Sequence, residues 1–484
     1  MPHDGFDLAA AARQEMIEAG FDPDFPPGVD QQLTALQSRP PEAAGGDARD
    51  LRHLLWSSID NDSSRDLDQA EVAERVSGGI RVQIAIADVD SDVTIGSPID
   101  QHAAEQTTTV YAGVRTFSML PEQLSTNLTS LNESADRPAV VVEMVVAGDG
   151  SLGSPAVYRA LVRNQAQLTY SGVGPWLEGA GPAPAKVAAS AGLQAQLKLQ
   201  DEAAQALLAQ RHKLGALTFD RVEAQAIVSD GQVRGITAHQ RNRATELIED
   251  FMVGANEVMA QTLAGAGVPS IRRIVKTPER WPRIVDLAAG YGDKLPAEPD
   301  SAALNAFLQK RRAADPVHYA DVSLAVIKLM GPGEYVLSRP GDPDQGHFAL
   351  AAHDYTHSTA PNRRFADLVT QRLIKSVFAK QPPPYAADQL ASIAGNCTLR
   401  EDAARKVERA MQKRMAAVAL QHRIGHAFNA VVTGVTPKGV FVRVLGPPAE
   451  GRLVRGEQGV DVGDRLRVTL VSTDPQRGYI DFAR

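Results

Sequence analysis

The chain has 484 residues, a formal net charge of −8, 43% hydrophobic residues and one cysteine, Cys397. That length predicts two to four domains with at least one substantial core. A single cysteine excludes a disulfide framework within the chain and allows a reducing, cytoplasmic compartment. No apolar run approaches the ~20 residues that span a bilayer, and the Met-Pro-His-Asp-Gly start lacks the regions of a signal peptide. No membrane association is expected.

Residues 1–50 form an N-terminal helical arm: an amphipathic segment at 6–19, a proline-bearing stretch at 21–28, a short helix at 31–37, then a loop to 47. Residues 51–424 begin with strands. Ile80, Val82, Ile84 and Ile86 alternate with Arg81, Gln83 and Ala85, and hairpin turns are expected at Gly148-Asp-Gly150 and Ser229-Asp-Gly231. Helices then dominate, at 243–266, 302–313, 365–380, 385–395 and 398–423, so the fold class is α+β. From residue 425 the pattern returns to short strands, near 429–435, 439–444, 451–454, 465–471 and 479–482.

The strongest chemical signal lies in residues 57–69, Ser-Ser-Ile-Asp-Asn-Asp-Ser-Ser-Arg-Asp-Leu-Asp-Gln. Asp60, Asp62, Asp66 and Asp68 crowd like charges that a cation would neutralise. Oxygen donors without thiolate or imidazole suit Mg²⁺, Mn²⁺ or Ca²⁺ rather than zinc. A calcium loop starting at Asp60 would put Glu71 at its last ligand position. It would also need glycine where Arg65 stands, and a helix where the strand pattern follows. The bland alternative is an acidic, solvated loop. His353 and His357 flank an acid at the spacing of a zinc-protease helix, but Tyr355, Thr356 and Pro361 disfavour a helix there.

Further blocks follow in order: Ile86-Ala-Asp88-Val89, Val110-Tyr111, Met119-Leu-Pro-Glu122, Glu246 to Asn256, and Asp354-Tyr355-Thr356-His357 through Pro361, Arg363, Arg364 and Asp367. Together with the aspartate loop they make the chain resemble the catalytic (RNB) domain of the ribonuclease II / ribonuclease R family, over about 320 residues. The resemblance implies a mixed sheet with packed helices and 3′→5′ hydrolysis of single-stranded RNA or 3′ overhangs to nucleoside 5′-monophosphates, with Mg²⁺ or Mn²⁺. Three of the family's four loop acids fall on Asp60, Asp66 and Asp68, and the fourth falls on Gln69. A glutamine carbonyl can still ligate a metal but brings no charge. Arg363 matches the arginine expected to stabilise the phosphorane, and Arg364 is expected to hold a neighbouring phosphate. Tyr111 matches the aromatic on which terminal bases stack. Asp250 occupies the place of a glutamate and would accept from a ribose 2′-OH.

Other positions depart from the family: Gln106 for arginine, Ala360 for serine, Phe365 for tyrosine and Gln371 for histidine. A net negative charge is unusual for a nucleic-acid binder. The conflict eases if RNA lies in a basic channel lined by Arg241, Arg243, Arg272, Arg273, Arg363, Arg364 and Lys375. Lys406, Arg409, Lys413 and their neighbours on the last helix face either solvent or phosphate. Residues 425–484 resemble an S1-like OB barrel, with Phe441 a stacking candidate and Phe428 more at home in the barrel core. Fifty residues cannot hold the cold-shock modules that family members place before the catalytic domain. The expectation is therefore action on short 3′ overhangs, or reliance on the RNA-binding surface of a partner protein. Two readings stay open: an exoribonuclease, or an RNA 3′-end-binding protein weakened by Gln69.

Overall fold

The computed structural model describes residues 6–39, 48–219, 223–229, 232–239, 241–316, 319–343 and 345–484. Its centre is a six-stranded sheet of Arg49–Asp50, Trp56–Asp60, Gln69–Val76, Gly79–Ala87, Asp136–Val146 and Leu152–Thr169. The last strand is 18 residues long, enough to pair twice. Its first part runs antiparallel to Asp136–Val146, and its end runs parallel to Trp56–Asp60 with Asp60 opposite Thr169. This double use closes the sheet on itself. The alternating stretch around Ile84 is a strand, as its period predicts, but from Ile84 to Ala87 every residue is buried because helices cover the sheet.

Helices Ala191–Lys213 and Arg243–Gly265 pack on the sheet and on each other. The first was not anticipated from the sequence, and it interrupts the expected order of strands followed by helices. Its Gln196 side chain both donates to and accepts from the Ala73 backbone. It thereby completes the ladder of Gln69–Val76 beyond the short Trp56–Asp60 strand. The same helix explains the Gly148-Asp-Gly150 turn. Gly150 has φ +84°, and a Cβ there would lie 2.0 Å from the Ala206 carbonyl oxygen. The second expected hairpin turn lies partly outside the described residues, and the strands flanking it, Glu223–Ser229 and Gln232–His239, pair antiparallel.

The two helices expected at 385–395 and 398–423 form one of 34 residues, Ala387–Leu420. Nothing at the join breaks it: Gly395 has open space around it, Asn396 donates to the Ala104 carbonyl at 2.9 Å, and Cys397 is buried. A single mid-helix glycine costs only about 1 kcal/mol. Helix Leu8–Glu18, capped by Asp7, lies along it. Leu8, Ala12, Met16 and Phe21 share a core with Val407, Met411 and Met415, and Glu15 pairs with Arg414. The N-terminal arm is thus packed against the long helix Ala387–Leu420.

The C-terminal strands Ala427–Thr436, Gly439–Leu445, Pro448–Arg455, Arg465–Asp474 and Tyr479–Ala483 form a closed barrel. Phe428 is in its core, edge-on to Phe482 at 6.3 Å. Arg443 pairs with Asp321 and anchors the barrel to helix Tyr319–Met330.

One packing feature gives a pH-dependent stability. Burial pushes the Glu257 carboxyl up to about 7, with Arg211 and His353 opposing the shift. The folded-state value lies above the unfolded one, so stability is present below about 4.5 and is lost as pH rises through about 7. In guanidinium titrations Glu257→Gln is expected to match the parent near pH 5 and to exceed it at pH 8 by roughly 2–3 kcal/mol. Equal differences at both pH values would refute this.

Candidate active site

The aspartate loop joins two neighbouring strands of the closed sheet, so its ends are fixed by backbone pairing. It is also pinned in the middle. Leu67 is buried, its N–H donates to Ser130 Oγ at 2.9 Å, and its carbonyl accepts from Leu131. Flanked by strands rather than helices, the loop is not an EF-hand.

Asp68 is 2% exposed and accepts the Asn362 N–H at 3.0 Å, while Arg363 Nε lies 3.5 Å from its other oxygen. Burial pushes its carboxyl up to about 7; Asp66 adds to the shift, and Arg363 and the Asn362 N–H oppose it. Asp66 is raised by burial as well, with Arg363 opposing and Asp60 adding. Asp60, at the end of its strand, turns its carboxylate onto its own loop and accepts from Asn61 N at 2.7 Å and Ser64 Oγ at 2.9 Å. Asp62 points away and accepts from Ser171 Oγ at 2.7 Å. Gln69 opens the next strand opposite Ile86 and is buried.

Two distant segments deliver the remaining groups. Residues 107–111 and 363–365 are laced together: Thr109 N donates to the Arg363 carbonyl at 3.0 Å, and Phe365 N to that of Thr107 at 2.8 Å. This brings Tyr111 beside Arg363, Asp66 and Asp68. Burial raises the pKa of its hydroxyl, the two aspartates add to the shift, and Arg363 opposes it. Its residue surface is 44% exposed, and its backbone N–H is held by Glu408 at 3.1 Å. The buried Asp68 carboxylate, the half-buried Asp66, the half-exposed guanidinium and the accessible aromatic ring therefore share one place.

Other sequence-based candidates are placed differently. Arg364 grips Asp367 with a two-pronged contact, Nε at 2.8 Å and Nη2 at 2.7 Å, and Asp367 also accepts the Ala360 N–H. Its guanidinium is committed to a fully buried acid rather than presented to a phosphate. Asp250 is buried and paired with Arg211, so it is turned inward. Its neighbour Glu249 is the exposed carboxylate, next to Tyr170 and bonded to Arg241 at 2.6 Å. The expected basic lining is largely neutralised: Arg243 pairs with Asp201, Arg272 with Asp354, Arg273 with Glu401, and Lys375 with Asp88 and Asp90. For the buried Arg272 and Arg273 a partner is required, because a buried charge is costly without one. Phe441 sits half-buried on the barrel opposite Arg452.

The departures have local explanations. Gln371 accepts from Asp90 N and donates to the Ala87 carbonyl, which clamps the strand end beside Asp68. Gln106 accepts from Asp22 N, and Phe365 is core. His357 is half-buried with Nδ1 2.7 Å from the Tyr335 hydroxyl, while His353 is exposed, so the two do not converge on a zinc.

Among the described residues no three His, Cys, Asp or Glu side chains are arranged as a ready-made ion shell. The donor set nevertheless fits a hard divalent cation: it is all oxygen, and it brings the buried Asp68 carboxylate and the half-buried Asp66 carboxylate close enough to oppose each other's ionisation. The sequence reading missed Asn362, Tyr170, Glu249 and Glu408. Only Asn362 had a signal, as the neighbour of Arg363.

Comparison with known proteins agrees with this architecture. The RNB domain model matches residues 48–380, and the model of the RNase II-type exonuclease C-terminal S1 domain matches residues 426–484. Ribonuclease R 1 of Lactococcus lactis is 30% identical over 504 residues, covering 95% of this chain. The chain spans 59% of that relative's length. Among solved structures, Mycoplasma genitalium RNase R in complex with ribose-methylated single-stranded RNA has a TM-score of 0.88 at 23% identity, covering 99% of this chain and 78% of that one. Yeast Ssd1, described as a pseudonuclease, has a TM-score of 0.70 at 18% identity, covering 92% of this chain and 56% of that one. The fold is thus shared with an RNase and with a pseudonuclease alike. No described helix is long and apolar enough to cross a membrane.

Proposed function

Because the chain belongs to the RNB-domain family, we propose that it is a 3′→5′ exoribonuclease that hydrolyses single-stranded RNA or 3′ overhangs to nucleoside 5′-monophosphates, dependent on Mg²⁺ or Mn²⁺. The observation that carries this reading is the convergence of Asp66, Asp68, Arg363 and Tyr111, with Asp60 at the adjoining strand end. Asp60, Asp66 and Asp68, with the Gln69 carbonyl, would hold the ion, whose chemistry is to lower the pKa of a bound water and to offset charge on the phosphate oxygens.

The chain's own groups do the rest. Arg363, 3.5 Å from Asp68 and half-exposed, is in place to meet the negative charge that builds on the phosphorane. Tyr111 offers a sequence-blind face for the terminal base, a contact that contributes ~1–3 kcal/mol. Glu249 takes over the ribose 2′-OH contact first assigned to Asp250, since it is the carboxylate that remains accessible. The C-terminal barrel supplies a path for the strand upstream, with Phe441 as a stacking face.

The test is a time course on 3′-tailed, labelled RNA with Mg²⁺ or Mn²⁺, with mononucleotides as the expected product. A second reading, a 3′-end-binding protein, is favoured by Gln69 and by the way Asp60 turns onto its own loop. Tight binding without any mononucleotide would establish it. Gln69→Asp adds a carboxylate to the loop, and the expected outcome is a severalfold lower Mg²⁺ concentration for half-maximal rate. An unchanged metal titration would show that this position does not face the ion.

A further inference from the structure

The strands that carry the aspartate loop bury a second acid, which the reading above does not use. Glu71 is 0% exposed, and neither of its carboxylate oxygens has a hydrogen-bond partner. It is paired directly across the ladder with Ser57, also 0% exposed, whose Oγ lacks a partner. Gln200, from helix Ala191–Lys213, closes the group from above. Its Nε2 donates to the Glu71 carbonyl at 3.4 Å, and its Oε1 is buried without a partner.

A lone carboxylate is costly in such a place, where an apolar residue would pack without loss. The rest of that strand segment, Ala70, Val72 and Ala73, is apolar. The position of the acid relative to the loop gives it a use. Side chains two apart on a strand share a face, so Glu71 stands one pleat inward of Gln69, about 7 Å along the strand. Ser57, its cross-strand partner, lies on the strand that ends at Asp60, three residues earlier and hence on the opposite face from the Asp60 side chain. Tyr170 follows Thr169, the register partner of Asp60. The hydroxyl of Tyr170 has its pKa raised by burial, with Asp60 and Glu71 both adding. The two acids therefore share one electrostatic neighbourhood.

We propose that Glu71 supplies, from one pleat inward, the negative charge that Gln69 does not provide, so that the divalent-ion site keeps four carboxylates. Ser57 and Gln200 are positioning groups, whose unpartnered oxygens hold the water that links Glu71 to the ion's surroundings. The inference rests on the metal-dependent reading above.

The experiment is equilibrium binding of Mn²⁺ to the intact chain, followed by the electron paramagnetic resonance signal of the free ion, without RNA. The proteins are the parent, Glu71→Gln, Glu71→Leu, the Glu71→Gln/Gln69→Asp double variant and Asp68→Asn. Glu71→Gln is expected to weaken Mn²⁺ binding at least tenfold, and the double variant to return to within threefold of the parent. Glu71→Leu guards against misfolding: it should raise the thermal midpoint, because it removes a buried carboxyl group without hydrogen-bond partners, and still lose Mn²⁺ affinity. If both Glu71 variants bind Mn²⁺ within twofold of the parent while Asp68→Asn binds weakly, the role of Glu71 is overturned and the metal reading stands. If Asp68→Asn also binds normally, the metal reading falls and this inference falls with it.

Discussion

Asp68→Asn is expected to lower the rate of mononucleotide release by at least 10³-fold, about 4 kcal/mol of transition-state stabilisation, while RNA affinity stays within a few-fold. Asparagine keeps the shape and can still accept the Asn362 N–H that Asp68 receives at 3.0 Å. The fold of the loop should therefore survive, because its pins are Leu67 and the two flanking strands. What disappears is the charge nearest Arg363, which matters for holding a divalent ion and little for holding RNA. Single-turnover rates and filter binding on the same RNA separate the two quantities. A parallel fall in binding and turnover would make the aspartate loop a grip rather than a reaction centre.

The second large effect is expected at Arg364→Ala, and it is an effect on stability. Asp367 is wholly buried and its two oxygens face Arg364, so truncation leaves an uncompensated charge with only the Ala360 N–H beside it. Breaking a buried pair from one side costs about 3–5 kcal/mol, on the order of 10 °C in the midpoint for a domain of this size. The lysine variant should rescue little, because one ammonium cannot reproduce the fork. A phosphate contact would behave otherwise: stability would hold, and the dependence of RNA affinity on salt would drop by about one charge. Melting curves and a salt titration of one variant decide between these.

The two adjacent arginines show where sequence reasoning reached its limit. The block around Pro361 was legible, and so was the aspartate loop, because crowded like charges have few structural uses. Which member of a charged pair faces outward was not. Glu249 and Asp250 are neighbours on a helix, roughly 100° apart around its axis, and only Arg211 on another helix decides which turns inward. The basic lining failed for the same reason, since Asp201, Glu401 and Asp88 lie far along the chain from the cations they neutralise. The strand around Ile84 was legible from its period of two. Glu71 was not, because the same period assigns a charged residue to the solvent side. The helix Ala191–Lys213 escaped notice because its alanines and glutamines carry a weak apolar stripe.

Helix Ala387–Leu420 has a mechanical consequence. At 34 residues it is about 51 Å long, and different stations along it grip different parts of the molecule. Glu401 holds Arg273, Glu408 holds the backbone of Tyr111, Arg414 holds the N-terminal arm, and Leu420 is inserted among the barrel residues. A rod anchored in this way joins the barrel to the segment that carries Tyr111. A strand of RNA pulling on the barrel would tilt the rod, and Glu408 would carry that tilt to Tyr111. On the function proposed above, tension on an upstream nucleotide would thereby be felt where the terminal base would be seated.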